Sequence, residues 1–290
     1  MICARLFKVS APPVFSLALS LLAAGCADLP ASQAPTVQGG DDAAKEGAKA
    51  LVITRMCDEG DGVACADLGV RHLQGRGVWK DEAKALDLFE KACVASSSLG
   101  CTHLALAYER GRGVAQDYAK AKELYEKACN QQGGEACTHL AKFYQVGIGT
   151  ERDEGKAAAL YERSCASGEP VACNQLGQVY REGKGVGANA KKAVELFERS
   201  CMSGNGFACV SGGRAYQSGE GVPVRIDAAA RLFEIGCKSE SRAGCVELAR
   251  LYEQGLGVPK DVEKAKTFYA RACEKESAWC ATAPAPSDPR

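Results

Sequence analysis

An all-α fold, an αα-hairpin solenoid of six units, follows from three features of the 290-residue sequence. Cysteines at 57, 93, 129, 165, 201, 237 and 273 recur every 36 residues, and a fixed period of this size marks stacked supersecondary units. A second cysteine follows each of these, and apolar residues trail it at helical spacing. A Gly-x-Gly then closes each of the six stretches.

The N-terminal element is an address. Residues 1–25 carry Arg5 and Lys8, then the apolar Val14, Phe15, Leu17, Leu19, Leu21 and Leu22, and end in Ala23, Ala24 and Gly25. That pattern is a secretory signal, too short and too interrupted at Pro12-Pro13 for a spanning helix. The run Leu22-Ala23-Ala24-Gly25-Cys26 resembles a bacterial lipobox, with Ala23 where that pattern prefers Leu. The resemblance implies lipidation of Cys26. Residues 26–41, with Pro30, Pro35, Gly39 and Gly40, then form the anchor and a flexible tether. The solenoid is expected over 42–280, as a cap helix, six 36-residue units and a short C-terminal cap, with a tail at 281–290.

Within each unit the first helix begins near the second cysteine of a pair. Three places on stand Leu68, Leu104, Leu140, Leu176, Gly212 and Leu248, and four places on stand Gly69, Ala105, Ala141, Gly177, Gly213 and Ala249. Seven places on are His72, Tyr108, Tyr144, Tyr180, Tyr216 and Tyr252. Offsets zero, three, four and seven trace one buried helix face, and the small residue lets a neighbouring helix approach. His72 reads as a packed core residue. The glycine pairs, from Gly75 and Gly77 to Gly255 and Gly257, supply the left-handed backbone of a helix end. No phosphate-loop sequence accompanies them.

The second helix starts behind Asp81, Asp117, Asp153, Asn189 or Asp261, side chains that accept from free N–H groups. Arg225 breaks this series. Ala85, Leu88 and Phe89, or Ala121, Leu124 and Tyr125, form its apolar face, and pairs such as Glu126-Lys127 and Glu162-Arg163 read as a solvated face.

These residues resemble the Sel1-like repeat, a relative of the tetratricopeptide repeat. Leu176-Gly177-Gln178-Val179-Tyr180-Arg181-Glu182-Gly183-Lys184-Gly185-Val186 follows its pattern nearly in full, and coverage runs from about Cys65 to Cys273. The fifth unit departs most, with Gly212, Arg225 and Ala228 at pattern positions. With a cysteine pair in every repeat, the chain is similar to the cysteine-rich Sel1-like proteins of Helicobacter, often labelled β-lactamase-like. The fold implied is a right-handed solenoid, each repeat cross-linked by a disulfide.

The expected bridges are Cys57–Cys65, Cys93–Cys101, Cys129–Cys137, Cys165–Cys173, Cys201–Cys209, Cys237–Cys245 and Cys273–Cys280. Each joins the end of a second helix to the start of the next first helix, where antiparallel neighbours come within bridging range. Zinc favours Cys-x-x-Cys, which does not occur here. Sixteen cysteines point to an oxidising compartment, the periplasm or the cell surface.

With the buried stripe assigned, offsets one, two, five, eight and nine are expected to be exposed, and by resemblance to tetratricopeptide arrays the first helices line the concave side. Two ladders then face the groove: Asp67, His103, His139, Gln175, Ser211 and Glu247 at offset two, and Val70, Leu106, Lys142, Gln178, Arg214 and Arg250 at offset five. Their variation suits a site that reads an irregular partner, and equally plain surface. The early Val70 and Leu106 and the later Lys142, Arg214 and Arg250 suit an extended partner with an apolar start and an acidic end. His103 and His139, one repeat apart, are expected side by side, without an evident third metal ligand. No metal or other cofactor is expected.

With 36 basic and 36 acidic residues the chain lacks the surplus a nucleic-acid binder needs. The partner expected is a protein, an extended peptide or a cell-wall fragment, with the membrane reached only through the anchor. The resemblance implies an alternative, β-lactam binding or weak hydrolysis. Against it, no Ser-x-x-Lys, Ser-Asp-Asn or Lys-Thr-Gly is present, nor a His-Glu-x-x-His, and no catalytic residue is assigned.

Overall fold

The computed structural model describes residues 40–273. The expected signal at 1–25, Cys26, the expected tether up to residue 39, the expected Cys273–Cys280 bridge and the expected tail at 281–290 lie wholly or partly outside the described residues. Among the described residues are thirteen helices and no strand. The first, α1 (Gly40–Asp58), takes in the last two residues assigned to the tether, and Cys57 sits near its end as later first cysteines sit near the ends of second helices. The first helices of the six units are α2 (Gly62–Gln74), α4 (Ser98–Arg110), α6 (Gly134–Val146), α8 (Pro170–Glu182), α10 (Gly206–Ser218) and α12 (Arg242–Gln254). The second helices are α3 (Glu82–Val94), α5 (Tyr118–Asn130), α7 (Glu154–Ala166), α9 (Ala190–Met202), α11 (Ile226–Lys238) and α13 (Val262–Cys273). None of these helices is long and apolar enough to cross a membrane.

The helix ends follow their local chemistry. Asp81, Asp117, Asp153, Asn189 and Asp261 each accept a backbone N–H three residues on, at 2.9–3.0 Å. Arg225 makes no such bond, and its guanidinium instead pairs with Asp227 at 3.0 Å. Caps on the first helices, absent from the sequence reading, come from Asp61, Ser97, Glu169, Asn205 and Ser241. The first glycine of each Gly-x-Gly ends its helix in the left-handed region. The second has a tertiary reason as well: a Cβ on Gly185 would lie 2.2 Å from the Glu154 carbonyl oxygen at the start of α7. Equivalent glycines leave room for one unit to seat on the unit before.

Each first helix packs between its own second helix and the second helix of the preceding unit. First helices also touch one another, α2 with α4, α4 with α6, α6 with α8 and α10 with α12, whereas among second helices only α9 and α11 meet to a comparable degree. Closer approach on one side curves the array toward that side, so the first helices are the inner ones at four of the five junctions, the exception being that between the fourth and fifth units, where α9 and α11 are the closer pair.

Offsets zero, three and four are buried in every unit, as the stripe predicts. His72 is buried too, its Nδ1 2.9 Å from the Trp79 carbonyl oxygen, but the tyrosines at offset seven are half-buried. The burial of offset one, expected exposed, and that of offset six, not assigned from the sequence, share one cause. Offset one is covered, with Ala66, Thr102 and Val210 buried, and so is offset six, with Arg71, Ala107, Phe143, Val179, Ala215 and Leu251. A helix flanked by two second helices and its counterparts buries more of its circumference than one stripe. Offset eight is mostly half-buried for the same reason.

Six disulfides are formed, Cys57–Cys65, Cys93–Cys101, Cys129–Cys137, Cys165–Cys173, Cys201–Cys209 and Cys237–Cys245, with Cα–Cα separations of 4.4–4.7 Å. Cys273 is also disulfide-bonded. The basic residues expected on a solvated face reach across units instead. Lys127 donates to the Cys93 carbonyl at 2.8 Å and Arg163 to that of Cys129 at 2.7 Å, where the carbonyl end of a helix attracts cations. Arg199 contacts the Cys165 and Cys173 sulfurs.

Candidate functional site

A residue four positions before another on a helix lies almost directly beneath it. On each first helix, therefore, offsets minus two, two, five and nine form one row on the concave side. Counting forward from the cysteine does not reach the first of these positions. It holds Val63, Leu99, Glu135, Val171, Phe207 and Ala243; among the apolar members Phe207 at 75% and Val63 at 68% are strongly exposed, Val171 and Leu99 less so, and Ala243 is half-buried. Continuing the same spacing backwards past the cysteine would have found them.

The predicted ladders are not uniform. Asp67 is half-buried and accepts from Arg71 Nε at 3.3 Å, while Arg71 also donates to Glu46 Oε2 of α1 at 2.9 Å. Hydrogen bonds from Lys49 and Arg71 hold the Glu46 carboxyl down at about 2. Val70 and Leu106 are half-buried and pack against the core, so the apolar start of the groove is supplied more by Val63 and Leu99.

His103 and His139 are each engaged with an aromatic ring. His103 stacks on Phe89 with ring centroids 4.8 Å apart, and His139 lies parallel to Tyr125 at 5.0 Å. Each imidazole thus covers the aromatic ring of the preceding second helix. Burial depresses both imidazole pKa values, and for His139 this outweighs Glu109 and Glu135 nearby. Among the described residues no three His, Cys, Asp or Glu side chains converge as metal ligands would.

Toward the other end the structure brings candidates together. Gln178 donates to Ser211 Oγ at 3.3 Å, linking α8 to α10. Glu247 accepts from Arg214 at 2.7 Å and from Arg250 at 3.4 Å, so one half-buried carboxylate is shared by two exposed guanidiniums. Lys142 is exposed and Gln175 half-buried. A cavity of about 250 Å3 opens in this region, lined among others by Arg181, Val194, Phe197, Ser211 and Arg214.

The model of the Sel1 repeat matches six times, at residues 62–93, 98–132, 134–169, 170–205, 210–241 and 242–277. No curated protein matches the sequence. Among solved structures, the protective antigen c5321 of uropathogenic Escherichia coli, described as displaying an SLR fold, is 27% identical with a TM-score of 0.70 over 78% of this chain. This chain spans about half of that antigen, 48% of its length. A Sel1 repeat protein from Oxalobacter formigenes is 24% identical, with a TM-score of 0.70 over 81% of this chain and 98% of its own. Cysteine rich protein B of Helicobacter pylori is 34% identical, covering 45% of this chain and 93% of its own, at a TM-score of 0.38. Six repeat matches laid in register on six helical hairpins establish that the chain belongs to the Sel1 repeat family.

Proposed function

We propose that this Sel1 repeat scaffold is exported, tied to a membrane through Cys26, and holds a protein or extended peptide along its concave face. The observation that carries the reading is the row on the first helices, in which side chains differ from unit to unit on a frame whose packing positions repeat. An extended surface of this kind serves binding more readily than chemistry. The disulfides support an oxidising compartment. Apolar Val63 and Leu99 near one end, and Lys142, Arg214 and Arg250 further along, favour a partner whose acidic portion follows an apolar one.

The test is cross-linking in intact cells of origin followed by fractionation, comparing the native sequence with K142E/R214E/R250E. We expect the native chain in the membrane fraction with one reproducible partner, and the triple variant in the same fraction without it. Retention of that partner by the triple variant would remove the groove as the site. Recovery of the native chain from the cytosol with reduced thiols would overturn export.

A further inference from the structure

Comparison of the repeats with one another shows a vacancy in the groove. At offset two, units two and three place an imidazole over the aromatic ring of the preceding second helix, His103 over Phe89 and His139 over Tyr125. Three repeats on, the equivalent residue is Ser211 of the fifth unit and the equivalent ring is Phe197 on α9, the second helix of the fourth. Serine is too small to fill the space an imidazole occupies, and a cavity of about 250 Å3 lies there against Phe197, Val194 and Ala215. Phe197 itself is only 1% exposed, so the cavity meets its edge with neighbouring side chains closing over the ring. Gln178, half-buried and bonded to Ser211 Oγ, stands at the margin.

We infer that this cavity is a pocket for one aromatic side chain of the peptide held in the groove. The proposal rests on the groove reading and adds what the peptide must carry. The occupant's ring would lie beside Ser211 and against the edge of Phe197, not stacked over its face as His103 and His139 are over theirs. Arg181 and Arg214 line the same cavity, and a guanidinium against the face or edge of a ring is attractive where water is excluded. Glu220 also lines it, and Glu247 holds Arg214 in position. Phe207, one turn before Ser211 on the same face of α10 and 75% exposed, offers the approaching segment an apolar surface. Tyrosine or tryptophan suits the pocket best, because the stronger quadrupole of an electron-rich ring draws the two guanidiniums.

The experiment uses the full oxidised chain and two fluorescent synthetic peptides that differ at one residue: an acidic, extended peptide with a single central tyrosine, and the same peptide with alanine there. Anisotropy titration should show the tyrosine peptide bound about tenfold more tightly, as expected for one buried ring and its stacking contacts. The variant S211H places in this unit the residue that two other units already hold, so its thermal midpoint should match that of the native chain. It should bind both peptides at the alanine peptide's affinity. Equal binding of the two peptides by the native chain, or a preference that survives in folded S211H, would overturn the pocket and leave the groove standing. If the native chain binds neither peptide, the groove reading and the pocket fall together.

Discussion

Gly69, Gly177 and Gly213 each lie beneath a phenylalanine, Phe89, Phe197 and Phe233, so closely that a Cβ would stand 2.4–2.6 Å from a ring carbon. In the three other units the small residue is alanine, Ala105, Ala141 or Ala249, and the ring is a tyrosine, Tyr125, Tyr161 or Tyr269. Those hydroxyls donate to Glu109, Gln145 and Glu253, one turn from the alanine. Burial raises the phenol pKa of Tyr161 to about 12, which keeps it a donor. The pairing of glycine with phenylalanine and alanine with tyrosine holds in all six units, and contact is its reason. G177A should therefore lower the thermal midpoint: overpacking costs about 1–3 kcal/mol and the gain in helix propensity returns about 1 kcal/mol. A raised midpoint would show that the ring yields freely. The stacked imidazoles give a pH dependence. Their folded pKa values lie below the ordinary 6.5, so the folded state binds fewer protons than the unfolded chain just below that pH. Stability contributed by neutral His103 and His139 is complete above about pH 6.5 and declines as pH falls toward the folded values. Denaturant titrations at pH 7.5 and 5.5 should show this loss in the native chain and a smaller one in H103F/H139F, where the stacking is kept without a titrating group.

At the scale of the element, a thirteen-residue helix is too short to be stable alone. Two links hold α3, and likewise α5, to the next unit. One is covalent, closing a loop of about nine residues, which in the loop-closure account removes roughly 2.6 kcal/mol of unfolded-chain entropy. The other is the basic side chain, Lys127 or Arg163, that reaches back to the carbonyl of a preceding cysteine. The double variant C129S/C137S should lose about 2–3 kcal/mol, read by denaturant unfolding under oxidising conditions, and its helical circular dichroism should stay near the native value. An unchanged midpoint would mean that packing between α5 and α6 alone clamps this junction.

Over the whole molecule the units repeat where they touch one another and differ where they face the groove. Contacts between neighbouring units build the structure, so no unit needs a long-range partner, and stability is a sum of local hairpins and their interfaces. The concave row is then free to vary. Its basic end is less basic than a count of arginines suggests, because Glu247 neutralises part of Arg214 and Arg250. Reversing all three cations in the cross-linking test acts on this network as well as on the partner, and leaves the buried stripe untouched.

The 36-residue period, the two helices per unit, the ends of the first helices, the starts of the second and six of the cysteine pairs were legible in the sequence because each depends on residues near in the chain: caps, glycine ends, and cysteines eight residues apart. The second glycine of each pair, the burial at offsets one and six, and the inward reach of Lys127 and Arg163 were not, since they arise between one unit and the next. The same holds for the candidate groove. Its ladders could be named from spacing, but only the folded array set His103 on Phe89, Glu247 between two arginines, and an open space beside Ser211. Helical periodicity fixes which way a side chain points from its own axis, whereas what it meets there depends on the distance and rotation of a neighbouring helix, and these are set by packing.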